Sequence, residues 1–98
     1  MRMMLKIAIP YEAAKRAMHD GSAPRIIKSA LEALRPEATY FFPTEEGRVI
    51  LLVADLRDPS DIPAAVEPFT SGLDARVALT PVMNLADFQA GLGKLPAH

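Results

Sequence analysis

Cysteine is absent from the 98 residues, which excludes disulfide bonds, thiolate nucleophiles and cysteine-ligated metal or iron–sulfur centres. An excess of charge of one sign is also missing, because 11 Lys and Arg residues stand against 12 Asp and Glu residues, a net charge of -1. The basic residues run from Arg2 to Lys94 without forming a block that would neutralise nucleic-acid phosphates or an anionic membrane surface. We therefore expect neither nucleic acid nor a membrane as a partner.

Long apolar runs are missing as well. The amino-terminal segment is interrupted by Lys6, and the longest aliphatic stretch, residues 49–54, falls far short of the roughly 20 residues of a membrane-spanning helix. On these lengths we expect neither a secretion signal nor a membrane-spanning helix, and we expect a cytoplasmic protein. A chain of this size builds one core, so we expect a single domain over residues 1–98 with a flexible tail over residues 93–98.

The chain does contain alternating strand and helix patterns. Residues 3–9 are rich in long and β-branched apolar side chains and end at a proline, which is typical of a strand. Apolar residues at helical spacing then predict a short helix over residues 11–19. A second helix is predicted from Ser22, taken as its cap, to the stop at Pro36.

The second half of the chain repeats this pattern. Residues 38–42 and 48–56 predict two strands that pair as a hairpin across a glycine turn. The next helix is predicted to begin at the sequence Asp58-Pro59-Ser60-Asp61, to kink or end at Pro68, and to leave through Gly72. Residues 74–82 predict the last strand, and a terminal helix that begins at Asn84 carries apolar side chains on one side, at Leu85, Phe88 and Leu92.

The element order β-α-β-β-α-β with an added helix predicts an α+β fold, the ferredoxin-like sandwich, in which both helices lie on one face of a four-stranded antiparallel sheet. Water-exposed sheet faces normally alternate toward polar residues, yet residues 49–54 are apolar in both registers. If about eight such side chains stayed exposed to water, the burial free energy not gained would be roughly as large as the free energy of unfolding of a small domain. The pattern therefore predicts a homodimer that forms through the open sheet face.

Four parts of the chain, residues 34–42, 47–55, 58–63 with 67–69, and 80–83, are similar to a known group. In them the chain resembles short, uncharacterised bacterial proteins of the dimeric α+β-barrel superfamily, and the resemblance covers nearly the whole chain. The superfamily also includes cofactor-independent monooxygenases of the antibiotic-biosynthesis type, haem-degrading enzymes, muconolactone-isomerase-like proteins and stress-responsive barrels. The resemblance therefore implies a dimeric barrel, while no single activity or catalytic motif carries over.

Other proteins of this topology differ in their chemistry. An RNA-recognition domain needs stacking aromatics on its central strands, but the strand over residues 48–56 has none. Cluster ferredoxins and heavy-metal carriers need cysteines. A regulatory domain of the amino-acid-binding type stays open, because its ligand is held mainly by backbone and loop contacts.

Lys6 is the first candidate for a binding or catalytic group. It lies opposite in register to Leu5, Ile7 and Ile9, so if those residues face the helices, Lys6 faces the barrel interior. There it could bind an anionic ligand or act as a base. The alternative is that its stem packs while its ammonium reaches water or an acid such as Asp55.

Aromatic residues and histidines supply the remaining candidates. Tyr40 and Phe42 share one face of their strand and Phe41 the other, so one set is core and the other lines a cavity. His19 is the one histidine inside the predicted fold and sits at a helix end, where a solvated role is the simpler expectation. His98 lies in the tail and has no partner in the pattern.

Three carboxylates, those of Asp55, Asp58 and Asp61, could be mistaken for a metal cluster, but their positions suit helix capping better. We expect no metal and no cofactor. The favoured hypothesis is a homodimeric barrel that binds a small organic molecule between sheet and partner. The alternatives are a non-catalytic regulatory or assembly module with a filled interior, and a cofactor-independent monooxygenase or isomerase-like enzyme in which Lys6, Tyr40 and His19 are the catalytic candidates.

Overall fold

The computed structural model describes residues 1–97 and contains a sheet with helices packed against it. The elements are β1 Arg2–Ile9, α1 Tyr11–His19, α2 Ser22–Leu34, β2 Ala38–Pro43, β3 Arg48–Asp55, a 3-10 turn Pro59–Asp61, α3 Ile62–Leu73, β4 Arg76–Pro81 and α4 Leu85–Leu92. The four strands form one sheet in the order β2-β3-β1-β4, and every pair of neighbours is antiparallel. The α+β class is confirmed, and this arrangement is compatible with a ferredoxin-like fold.

The core lies between the sheet and the helices. Alternate residues of the central strands, such as Leu5, Ile7 and Leu52, are fully buried, because side chains of a strand point to opposite faces in turn. Phe69 and Leu73 of α3 are fully buried against them. The face of the sheet that carries these residues is therefore the one that the helices cover.

The β2–β3 hairpin forms as predicted, and its turn requires a glycine. The Thr44 amide donates a hydrogen bond of 2.8 Å to the Gly47 carbonyl, which closes the turn. A Cβ on Gly47 would lie 2.1 Å from the Ile9 carbonyl oxygen. The hairpin can therefore approach the end of β1 only because this residue has no side chain.

The start of α2 differs from the prediction, since Ser22 is not its cap. The cap residue is Gly21, in the left-handed conformation with φ 80°. The Ser22 amide instead donates a hydrogen bond of 2.8 Å to the Asp20 carboxylate. Hydrogen bonding from Ser22, first from its side chain and then from this amide, lowers the pKa of Asp20. Glycine suits this position because it adopts the positive φ that joins α1 to α2 at no steric cost.

The prediction allowed α3 either to kink or to end at Pro68; the end at Pro68 is wrong, and so is the exit through Gly72. The helix continues to Leu73 with Pro68 inside it, and it ends at Asp74, which adopts φ 52°. The last turn persists because Phe69 and Leu73 are fully buried in the core, and their burial offsets the lost backbone hydrogen bond. Gly72 serves close packing instead, since a Cβ there would lie 2.6 Å from Ile26 Cδ1.

The terminal helix α4 projects from the rest of the chain. Its cap is Asn84, as predicted, and all eight of its residues are exposed. The radius of gyration is 15.8 Å, against about 13 Å for a compact chain of this size. Hydrogen-bonded turns continue the chain to Leu95; His98 lies outside the described residues.

Candidate functional site

The sheet face that the helices leave uncovered, called the open face below, carries both apolar and charged side chains. The strand register places its residues in rows across β2, β3, β1 and β4. The three central rows are Phe42, Val49, Ala8 and Arg76; Tyr40, Leu51, Lys6 and Ala78; and Ala38, Val53, Met4 and Thr80.

The open face has an apolar half and a cationic half. The half formed by β2 and β3 carries aliphatic and aromatic side chains, of which Tyr40 is 64% and Phe42 38% exposed. The half formed by β1 and β4 carries the exposed cations Lys6 and Arg76. A ligand on this face could therefore contact apolar surface at one end and positive charge at the other.

Lys6 has the orientation that the alternation of β1 predicts. Its neighbours across the sheet are Leu51 and Ala78, and it forms no ion pair among residues 1–97. The alternative that the Lys6 ammonium pairs with Asp55 is wrong. The Asp55 carboxylate instead accepts a hydrogen bond of 2.8 Å from the amino group of Met1. That hydrogen bond lowers the pKa of Asp55.

Arg76 was missed by the sequence reasoning, although a signal was present. Val77 and Leu79 are apolar and face the helices, so the alternation of β4 places Arg76 and Ala78 on the open face. The register then makes Arg76 a diagonal neighbour of Lys6, because Lys6 pairs with Ala78 and Arg76 pairs with Ala8. Side chains so placed can reach one another.

A network of ion pairs around Arg2 lies at one end of the open face. The Arg2 guanidinium donates hydrogen bonds to Glu37 and, at 2.7 Å, to Asp87. The hydrogen bond to Glu37, which outweighs the effect of desolvation, raises the pKa of Arg2. The network ties together β1, the segment before β2 and the first turn of α4.

The aromatic and histidine candidates separate onto two layers. Tyr40 and Phe42 lie on the open face and Phe41 on the helix-covered face, so the predicted alternation of β2 is confirmed. The prediction that one of these two sets belongs to the core is wrong, because all three side chains are exposed on this edge strand. His19 is the exposed last residue of α1, and α1 belongs to the layer on the far side of the sheet. Within one chain, His19 therefore does not join Lys6 and Tyr40 in a common site.

Of the three carboxylates that the sequence favoured as helix caps, Asp58 and Asp61 act as caps, whereas Asp55 is wrong as a cap because it ends β3 and pairs with the amino group of Met1. Asp58 accepts a hydrogen bond of 2.9 Å from the Ser60 amide, and Asp61 accepts one of 3.2 Å from the Asp58 amide. The hydrogen bond from the Ser60 amide lowers the pKa of Asp58. Both side chains are thus engaged by the backbone at the start of the 3-10 turn.

Two grooves on the helix side of the molecule were not predicted. One, of about 540 Å³, lies between α2 and α3, and its walls combine alanines with charged residues such as Arg35, Arg57 and Asp61. The other, of about 270 Å³, is mainly apolar and lies between the hairpin and helices α1 and α2, with Met18 and Phe41 on its walls. Phe42 and Val49 of the open face also line this second groove, whereas Lys6 and Tyr40 line neither.

Comparisons with known proteins found no similarity that identifies the chain. No family model matches it, and neither a curated protein nor a solved structure does. Among residues 1–97, every helix is too short or too polar to cross a bilayer. The functional argument therefore depends on the geometry of the open face.

Proposed function

We propose that two copies of this chain pack open face against open face, as a ferredoxin-like dimeric α+β barrel, and that the chamber between them binds a small organic molecule. The observation that carries this proposal is the apolar half of the open face, where Tyr40 and Phe42 are solvent-accessible in the single chain. Burying side chains of this size contributes roughly 1.5–3 kcal/mol each. A second copy offers the same surface, so a two-fold arrangement covers both faces at once.

The helix α4 provides a second reason for a partner copy. Its apolar side chains Leu85, Phe88 and Leu92 are exposed, as is Leu95 beyond it, and in its own chain α4 does not cover the open face. One polypeptide thus has two apolar surfaces that do not meet. An exchange in which α4 of each copy packs against the other copy covers both surfaces, and we include it in the proposed dimer.

Binding, rather than catalysis, is the function that the arrangement supports. Lys6 and Tyr40 occupy the same row with Leu51 between them, which places their backbones about 10 Å apart, at two strand spacings. Hydrogen-bonded pairs of catalytic groups need heavy-atom separations of about 3 Å. Polar groups so far apart are better suited to hold two ends of one ligand than to act on one atom.

Sedimentation velocity of matched variants tests the dimer. Tyr40→Glu places a charge on the open face, whereas Met18→Glu places one on the helix layer at a side chain of similar exposure, 60% against 64%. We expect the wild type and Met18→Glu to sediment as dimers, and Tyr40→Glu as a monomer with an unchanged circular dichroism spectrum. A folded wild-type monomer at high micromolar concentration would contradict the proposal.

Two further measurements test the exchange of α4 and the chamber. Phe88→Ser should weaken the dimer without lowering the stability of the monomer, because Phe88 makes no core contact in its own chain. Native mass spectrometry of freshly purified protein should show a dimer that retains a small molecule. A dimer that neither retains nor takes up a ligand would favour the filled-interior assembly module instead.

A further inference from the structure

We infer that the ligand of the proposed chamber is an organic anion, with its acidic group held by Lys6 and Arg76 and its apolar body against Tyr40 and Phe42. This inference rests on the proposed function and adds the chemical class of the ligand. It also assigns Arg76 to the site.

The first step of the argument is the shape of the cationic half. The residues paired with Arg76 and Lys6 on neighbouring strands are Ala8 and Ala78, respectively. Two long cationic side chains are thus set diagonally across two methyl groups. Because the alanine side chains are small, they leave space above β1 and β4. The two long cationic side chains border this space, and it has room for a carboxylate-sized group.

The second step is the lack of a counter-charge within the described residues 1–97. Of the carboxylates at the charged end of the face, Glu37 and Asp87 are held by Arg2, and Asp55 is held by the amino group of Met1. No ion pair involves Lys6 or Arg76. Both cations are therefore available to an acidic ligand.

The third step is what dimerisation does to these charges. In the proposed dimer the two open faces meet, so Lys6 and Arg76 of each copy lie on the facing surfaces. Cations that are removed from water without a partner are strongly destabilising, and like charges raise that cost further as the local dielectric constant falls. An anion in the chamber removes this cost, and its attraction to the cations strengthens for the same reason.

The last step is the other end of the ligand. Tyr40 and Phe42 lie two strands away from β1, in the same rows as Lys6 and Ala8. The span of about 10 Å between β2 and β1, at two strand spacings, suits a molecule with an aromatic or branched aliphatic body and one acidic end. The Tyr40 hydroxyl can donate or accept a hydrogen bond along that body.

A pair of fluorescent probes tests the charge requirement. The probe 8-anilino-1-naphthalenesulfonate carries an aromatic body and one negative charge, and N-phenyl-1-naphthylamine has the same aromatic body without the charge. We expect the anion to bind the wild-type dimer more tightly, with a saturable stoichiometry, and to weaken as salt is raised while the neutral probe does not.

The variants assign this preference to the two cations. Lys6→Met combined with Arg76→Met should weaken binding of the anionic probe at least about tenfold, as expected for lost charge-assisted hydrogen bonds, and that of the neutral probe less than twofold. Lys28→Met, which removes an exposed cation from α2 on the other layer, is the matched control and should change neither. Circular dichroism of each variant verifies that it is folded.

The outcomes separate this inference from the proposed function. Sedimentation of the same samples reports whether the dimer forms; a wild-type monomer overturns the proposed dimer and this inference together. A dimer that binds both probes equally, or that binds the anionic probe as well after both cations are replaced, overturns the organic-anion inference and leaves the dimer standing.

Discussion

Arg2 and Asp87 join the first strand to the last helix, with 2.7 Å between Arg2 Nη1 and Asp87 Oδ2. The same Asp87 oxygen accepts a hydrogen bond of 3.1 Å from the Asn84 amide, and Asn84 Oδ1 accepts one from the Asp87 amide. One carboxylate therefore caps α4 and anchors it to the edge of the open face. This anchoring gives α4 a defined direction although its own residues are exposed.

Replacement of Arg2 should loosen α4 without unfolding the domain. In Arg2→Met we expect faster amide hydrogen exchange over residues 84–95 and a loss of global stability of no more than about 1 kcal/mol, since exposed ion pairs contribute little. Arg16→Met, which breaks the exposed pair with Asp74, is the control. Equal exchange in α4 of both variants would show that Arg2 does not hold the helix.

Gly47 is the position at which a single methyl group should be most damaging. Its added Cβ would meet the Ile9 backbone oxygen at 2.1 Å, and neither backbone can give way easily. We expect Gly47→Ala to lower the free energy of unfolding by about 2 kcal/mol or more. At Gly91 in α4 an added Cβ meets nothing within 4 Å, so Gly91→Ala should raise stability slightly through helix propensity. Chemical denaturation of both variants measures the difference, and similar effects would contradict the steric argument.

Pro68 should be a stabilising site for substitution. Alanine there restores the amide that can bond to the Ala64 carbonyl, and after the entropy lost from a stiffer unfolded chain is subtracted we expect a gain of about 1–2 kcal/mol. Pro63, near the start of α3, lacks only an amide that has no helical partner. Pro63→Ala should therefore be neutral or slightly destabilising, and a loss of stability in Pro68→Ala would show that the ring packs usefully.

The cap at Asp58 should make stability depend on acid. Its pKa is lower in the folded chain, so its contribution is fully present above the ordinary value of about 3.9 and is lost as the pH falls through the lowered one. Asparagine caps nearly as well but does not titrate. We expect the urea midpoint of the wild type to fall more steeply than that of Asp58→Asn between about pH 5 and pH 2. Parallel curves would contradict this role of Asp58.

Local signals were sufficient for most of the elements, and they failed where distant residues compete. The bounds of α1 agree with the predicted residues 11–19, because a proline and a glycine stop that helix from either side. The predicted end of α3 at Pro68 is wrong because the rule that proline ends a helix is local. The burial of Phe69, which outweighs the cost of the proline, comes from packing against the sheet. The prediction that Ser22 caps α2 is wrong because residue type alone does not show that Gly21 takes the left-handed conformation at the cap position.

The sequence by itself determined the α+β class, the hairpin and the fact that Lys6 lies on the opposite side of β1 from Leu5, Ile7 and Ile9, because helical spacing and strand alternation are properties of neighbouring residues. Only the tertiary structure decided that Arg76 is beside Lys6, that His19 is on the opposite layer, and that α4 projects from the body. Those relationships depend on the strand register and on which surfaces remain uncovered. Both are set by contacts between residues far apart in the chain.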